Sequence, residues 1–166
     1  SSIINYSTAD YYTEDEETNY AWWLSMEADG SPLIFWEYEN GNNVTITATE
    51  PVPDATDGDF HHLVATRDAD SQTVTFYWDG AVLGDPVSFE RLPTGASRGL
   101  VYVGADTEGY YDSEFSGDLD ELCVFDLVLD ADAVAELSAG TACPALFEDD
   151  SDDDDDDDDD DGDTGG

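Results

Sequence analysis

The sequence contains no lysine, three arginines and two histidines against 43 aspartates and glutamates, for a net charge of −40. That scarcity of positive charge excludes nucleic acid as a partner, because phosphate binding needs a basic patch. Cysteine is nearly absent as well. Cys123 and Cys143 stand too far apart for a CxxC redox or zinc pair, and no His/Cys cluster completes a metal site. No apolar run approaches the ~20 residues of a membrane helix, so membrane insertion is not expected. The chain opens at Ser1-Ser2 with no basic, apolar leader, so any signal peptide is expected to be already removed or to lie outside this sequence. Neither a Ser-His-Asp order nor a Gly-rich phosphate loop is present.

What is abundant is acid and aromatic bulk. Fourteen of the 43 acids fall between Glu148 and Asp163, which leaves 29 in the body against Arg67, Arg91 and Arg98. Such a surface repels itself at low ionic strength, and salt relieves it. Two sources fit this charge equally: a halophilic or marine surface protein, or simply an acidic extracellular one. Either way the expected location is secreted or cell-surface. In that oxidising setting Cys123 and Cys143 are expected to form a disulfide rather than stay free thiols. Four Trp, nine Tyr and seven Phe supply enough apolar bulk for one core.

Short β-patterned segments punctuated by turns run along the body. Residues 20–26 are aromatic and apolar, and residues 33–38 follow the Asp29-Gly30 turn. Val44, Ile46 and Ala48 alternate with Thr45 and Thr47, a period of two. Residues 60–67 make another segment, and Val74, Phe76 and Trp78 alternate before an Asp79-Gly80 hairpin signal. Residues 100–103 and 119–125 predict two more strands. One helix is expected over 131–137, capped by Asp130, favoured by Asp132 in its first turn and stopped by Gly140. This spacing predicts an all-β antiparallel jelly-roll sandwich with one short C-terminal helix. The domain is expected over 1–147. Residues 148–166 form an Asp-rich tail containing ten consecutive Asp, with nothing to bury and like charges that repel. It is expected to be a disordered linker, dispensable for folding, that condenses cations weakly along its length.

Three stretches carry a family resemblance. They are Phe60-His61-His62-Leu63-Val64-Ala65-Thr66-Arg67-Asp68 with residues 74–80 behind it, Val101-Tyr102-Val103-Gly104-Ala105-Asp106, and Phe115-Ser116-Gly117-Asp118-Leu119-Asp120-Glu121-Leu122. In order and spacing they resemble the laminin-G-like, concanavalin A-like lectin/glucanase jelly rolls, with Phe60 where that family carries Trp. The resemblance implies an extracellular, non-catalytic recognition or adhesion module for glycan or protein, with calcium as the candidate cofactor. The alternative is a structural subunit that self-associates into an extracellular filament through strand pairing. The family opens with strands before the segment that Ile3-Ile4-Asn5-Tyr6 resembles, and none precede it here. The sequence is then either a fragment or a domain completed by a donor strand, for which Ile3-Ile4 and Ala145-Leu146-Phe147 are the candidates.

Asp118 and Asp120, two apart on an expected strand, would share a face, and the resemblance points to calcium at Asp120. Sugar stacking is expected of Trp23, Trp36 and Tyr38, because aromatic faces suit the C–H surfaces of pyranose rings. His61 and His62 are adjacent on an expected strand, face opposite ways and cannot chelate one metal. Asn5 and Asn43 open glycosylation sequons. Catalysis is not expected: glucanases of this kind place their acids on one strand face about 5.5 Å apart. Here Asp118-Leu119-Asp120-Glu121 has the wrong spacing, and Glu37 with Glu39 lacks a third acid in register.

Overall fold

The computed structural model describes residues 2–8, 21–38, 42–90, 99–104 and 115–143. Among them nine strands and one helix form. The strands are β1 (Ser2–Thr8), β2 (Ala21–Met26), β3 (Pro32–Tyr38), β4 (Asn42–Thr47), β5 (Leu63–Asp68), β6 (Thr73–Trp78), β7 (Ala81–Val82), β8 (Val87–Ser88) and β9 (Gly99–Val103), and the helix is α1 (Ala131–Ser138). Two antiparallel sheets result. One runs β4-β3-β2-β1-β9, and the other runs β5-β6-β7 with β8 also paired to β6. Among the described residues no helix is long and apolar enough to cross a membrane.

The period of two in the sequence becomes the two faces of each sheet. Ile34 and Trp36 of β3 and Ile46 of β4 point inward and meet Val74 and Phe76 of β6, with Leu83 and Phe89 closing the same core. Arg67 lays its guanidinium 5.9 Å from the centre of the Trp36 ring at the margin of that core. Tyr77, one residue out of phase with Phe76, faces the other way. It forms a second, smaller core with Leu129, Val134 and Leu137 beneath α1.

The helix ends follow the sequence signals. Asp130 accepts a hydrogen bond from the Ala133 N–H at 2.9 Å, satisfying one of the orphan donors of the first turn. At the other end Gly140 takes a φ of 95°, while the Gly140 and Thr141 N–H groups donate to the Leu137 and Glu136 carbonyls. That pairing is a Schellman stop, which needs a residue free to be left-handed. Gly80, at φ 79° in the β6–β7 turn, has a second reason to lack a side chain: a Cβ there would stand 3.0 Å from that of Ser138.

Two strand expectations are corrected. The segment expected at 60–67 starts its ladder only at Leu63, so Phe60 is 71% exposed and both histidines precede the strand. Residues 119–125 form no strand: Leu119, Leu122 and Val124 are exposed, and Glu121 has a positive φ. Alternation alone does not make a strand where no described neighbour supplies a ladder. Ile4 is buried inside β1, between β2 and β9, which removes Ile3-Ile4 as a free donor strand. Ala145-Leu146-Phe147 and the acidic tail lie outside the described residues.

Candidate functional site

The outer face of the five-stranded sheet carries the aromatic surface. Trp23 and Phe35 stand opposite each other on β2 and β3 and stack with ring centroids 3.8 Å apart and planes 12° from parallel. Pairing continues the row both ways. Thr45 on β4 faces Phe35, and Asn5 on β1 stands between Trp23 and Tyr102 on β9. Directly paired antiparallel residues share a face, so Tyr102, Trp23, Phe35 and Thr45 lie along one line, with the β1 backbone at Asn5 between Tyr102 and Trp23. With strands about 4.8 Å apart the line is roughly 19 Å long. Trp23, Phe35 and Tyr102 are half-buried, so each keeps part of its surface in solvent, and Thr45 is exposed. Asn43 is exposed on the same face, one pair further along β4.

The expected sugar-stacking residues divide here. Trp23 is on this face. Trp36 is not: it is 6% exposed, points inward and tilts against Phe89 in the core, so it offers no face to a ligand. The side chain of Tyr38 lies outside the described residues. Phe35, Tyr102 and Thr45 carry no signal of their own in the sequence, because only strand register aligns them with Trp23.

A second polar constellation surrounds the β6–β7 turn. The two ring nitrogens of His61 each face a carboxylate, Asp79 Oδ2 at 2.8 Å from Nδ1 and Asp57 Oδ1 at 3.2 Å from Nε2. A neutral imidazole donates from one nitrogen only, so this geometry suits the imidazolium. The ring also stacks on Trp78 at 4.6 Å, where a cation is favoured. Asp79 is held in turn, since its Oδ1 accepts the His62 N–H and its own N–H donates to the His62 carbonyl.

The ionisation of these groups follows from their contacts. The hydrogen bonds to Asp79 and then Asp57 raise the pKa of His61. Burial lowers that of His62, more than the nearby Asp79 and Glu121 raise it. Burial pushes Asp79 up, but the His62 N–H and His61 more than offset it and leave the carboxyl low. The Asp59 N–H and His61 lower Asp57. Stability from His61 is therefore complete below about 6.5, the unperturbed value, and is lost as pH rises through the higher folded value. His62 acts oppositely: its folded pKa is depressed, so stability falls as pH drops below about 6.5 through the lower folded value. Urea melts across this range should show both limbs. His61→Gln should flatten the alkaline limb alone and His62→Gln the acidic one; unchanged limbs in either variant would contradict the assignment.

Asp118 and Asp120 are exposed on an irregular stretch rather than on one strand face, and Asp120 Oδ1 accepts the neighbouring Glu121 N–H at 2.9 Å. Among the described residues no group of three His, Cys, Asp or Glu converges as metal ligands. Two carboxylates do not by themselves fit calcium, which takes about six to eight oxygens. Cys123 and Cys143 form a disulfide, with Cα atoms 6.5 Å apart. Of the sequon asparagines, Asn43 is exposed, and the side chain of Asn5 lies outside the described residues.

A family model described as Laminin_G_3, Concanavalin A-like lectin/glucanases superfamily, matches residues 4–135. No curated protein matches the chain. Among solved structures, an S-layer domain-containing protein (residues 221–444) from Clostridium thermocellum is similar at 24% identity with a TM-score of 0.40. That similarity covers 76% of this chain and 60% of the other, so this chain spans less than two thirds of that one's length.

Proposed function

Because the chain belongs to the concanavalin A-like lectin/glucanases superfamily, we propose that it is an extracellular, non-catalytic module that recognises glycans on the outer face of its five-stranded sheet. The observation that carries this reading is the stacked Trp23–Phe35 pair, placed by register in line with Tyr102 and Thr45. The stack takes up one face of each ring, so a pyranose ring would lay its C–H surface on the far face or the solvent edge of the pair, and the hydroxyls of Tyr and Thr suit the sugar's own hydroxyls. The acidity of the body narrows the ligand to neutral or amino sugars, since anionic chains would be repelled at low salt. The non-catalytic reading is supported by the Asp118–Glu121 stretch, whose acids sit exposed on irregular chain instead of converging from one strand. Calcium assistance would need oxygens beyond Asp118 and Asp120.

Affinity electrophoresis on neutral β-glucans, guided by a glycan array, tests the reading. Trp23→Ala and Phe35→Ala should each weaken binding by about tenfold or more, as expected for a stacking contact of about 1.4 kcal/mol. Both variants should keep the native fold by circular dichroism, because the pair lies outside the core. A wild-type chain that binds no glycan, or variants that bind as well as it does, would defeat the proposal.

A further inference from the structure

Among the described residues the two sheets do not match in width. The first holds five strands, whereas β5 is the edge of the second, and no described strand pairs with β5 on the side away from β6. The consequence appears on β9. Val103 pairs with Ile4 and therefore shares its inner face, yet Ile4 is 3% exposed and Val103 49%. Val101, two residues along on the same face, is 56% exposed. Two valines on the core side of a sheet are left in water.

Residues 119–128, which begin beside the end of β9, add further exposed apolar side chains. Phe115 donates its N–H to the Gly104 carbonyl just beyond β9, and Leu119 lies 3.7 Å from where a Cβ on Gly104 would stand. From there Leu119, Leu122, Val124, Leu127 and Val128 are all 40% exposed or more, with Val124 at 68%. This is not a frayed end. The segment is tied at Phe115, clamped at Cys123 by the disulfide, and anchored at Leu129, which is buried under α1. Held at three points, it still exposes most of its apolar side chains and forms no ladder among the described residues. A folded domain rarely keeps so many large apolar side chains of one short tethered segment in water unless something covers them.

We propose that residues 119–128, together with the inner face of β9, form a docking edge for a β-strand of a partner polypeptide that is apolar at alternate positions and carries Lys or Arg between them. Alternation is required because one face of an added strand meets the valines and leucines and the other meets solvent. Basic residues are required by the rim. Asp118, Asp120, Glu121 and Asp126 are exposed among the apolar side chains, and residues 99–166 contain no Lys, Arg or His. A second copy of the chain fits poorly, because it brings a charge of −40 and no lysine to an acidic edge.

The test uses the full chain and three synthetic peptides: an acetylated Val-Lys alternating heptapeptide, its Val-Glu counterpart, and the Val-Lys peptide with alternate backbone N-methylation. Titration calorimetry at about 0.15 M salt screens attraction between charges more than about 8 Å apart while keeping contact-range pairs with the acidic rim. Leu122→Asn and Val124→Asn change exposed positions without altering charge. The Val-Lys peptide should bind the parent chain, lose roughly tenfold in affinity on each variant, and fail when N-methylated. Equal binding to parent and variants would reduce the effect to charge and overturn the proposal, as would equal binding of the Val-Glu or N-methylated peptide. Sedimentation equilibrium supplies the other overturning result, self-association of the chain alone that Val124→Asn abolishes, which would make the occupant a second copy. Glycan binding through Trp23 and Phe35 lies on the opposite face and should be unchanged in both variants.

Discussion

Phe76→Ala should lower the unfolding free energy by about 3–5 kcal/mol, the range for removing a fully buried aromatic side chain and leaving its cavity. Phe76 is 2% exposed, sits mid-strand on β6 and belongs to the core that joins the two sheets through Ile34, Trp36 and Ile46. A small domain is stable by only about 5–15 kcal/mol, so the alanine variant stands to lose a large share of its folded population. Phe76→Leu retains most of the volume and should keep the effect measurable, at a smaller loss. Val82→Ala, at an exposed position on β7, is the control and should change little. Urea denaturation at fixed salt reads all three. A loss below about 1 kcal/mol for Phe76→Ala would mean that the sheets are not packed through this residue.

Replacing both Cys123 and Cys143 by serine should cost roughly 3 kcal/mol, because the bridge closes a loop of 20 residues and removes that freedom from the unfolded chain. The effect should also be local. Cys143 follows α1 and Cys123 sits in the exposed 119–128 segment, so the bridge ties that segment to the helix core. Hydrogen exchange in the double variant should speed up there before it does in β2 or β3. Thiol titration of the denatured, unreduced chain supplies the independent check: both cysteines reacting would show that the bridge does not form.

Much of the architecture is legible in the amino-acid sequence. Strands β2, β3, β4, β6 and β9 fall where the short apolar and alternating segments put them, and the Asp79-Gly80 hairpin turns where its dipeptide demands positive φ. Helix α1 begins at its Asp cap and stops at its Gly. These features are local: each depends on a period or on the conformational preference of one or two residues. The 119–125 stretch fails for the complementary reason. Its pattern is as good as that of β9, but a strand is a property of two segments, and no described segment pairs with it.

The binding face is half legible. Trp23 stands out as an aromatic in a short aromatic and apolar segment, but Trp36 stands out equally and is buried. Adjacent residues Phe35 and Trp36 differ by one step of the pleat, and nothing in their immediate sequence says which of them faces the second sheet. Composition and period by themselves determined that this is an acidic, all-β domain with one capped helix, because charge and local backbone preference need no partner. Only the tertiary structure decided that Trp23 and Phe35 stack on the outside, that His61 bridges two carboxylates 4 and 18 residues away, and that Val101, Val103 and Val124 are left uncovered. Those outcomes are set by register and by the unequal widths of the two sheets among the described residues, which arise only when segments distant along the chain are brought together.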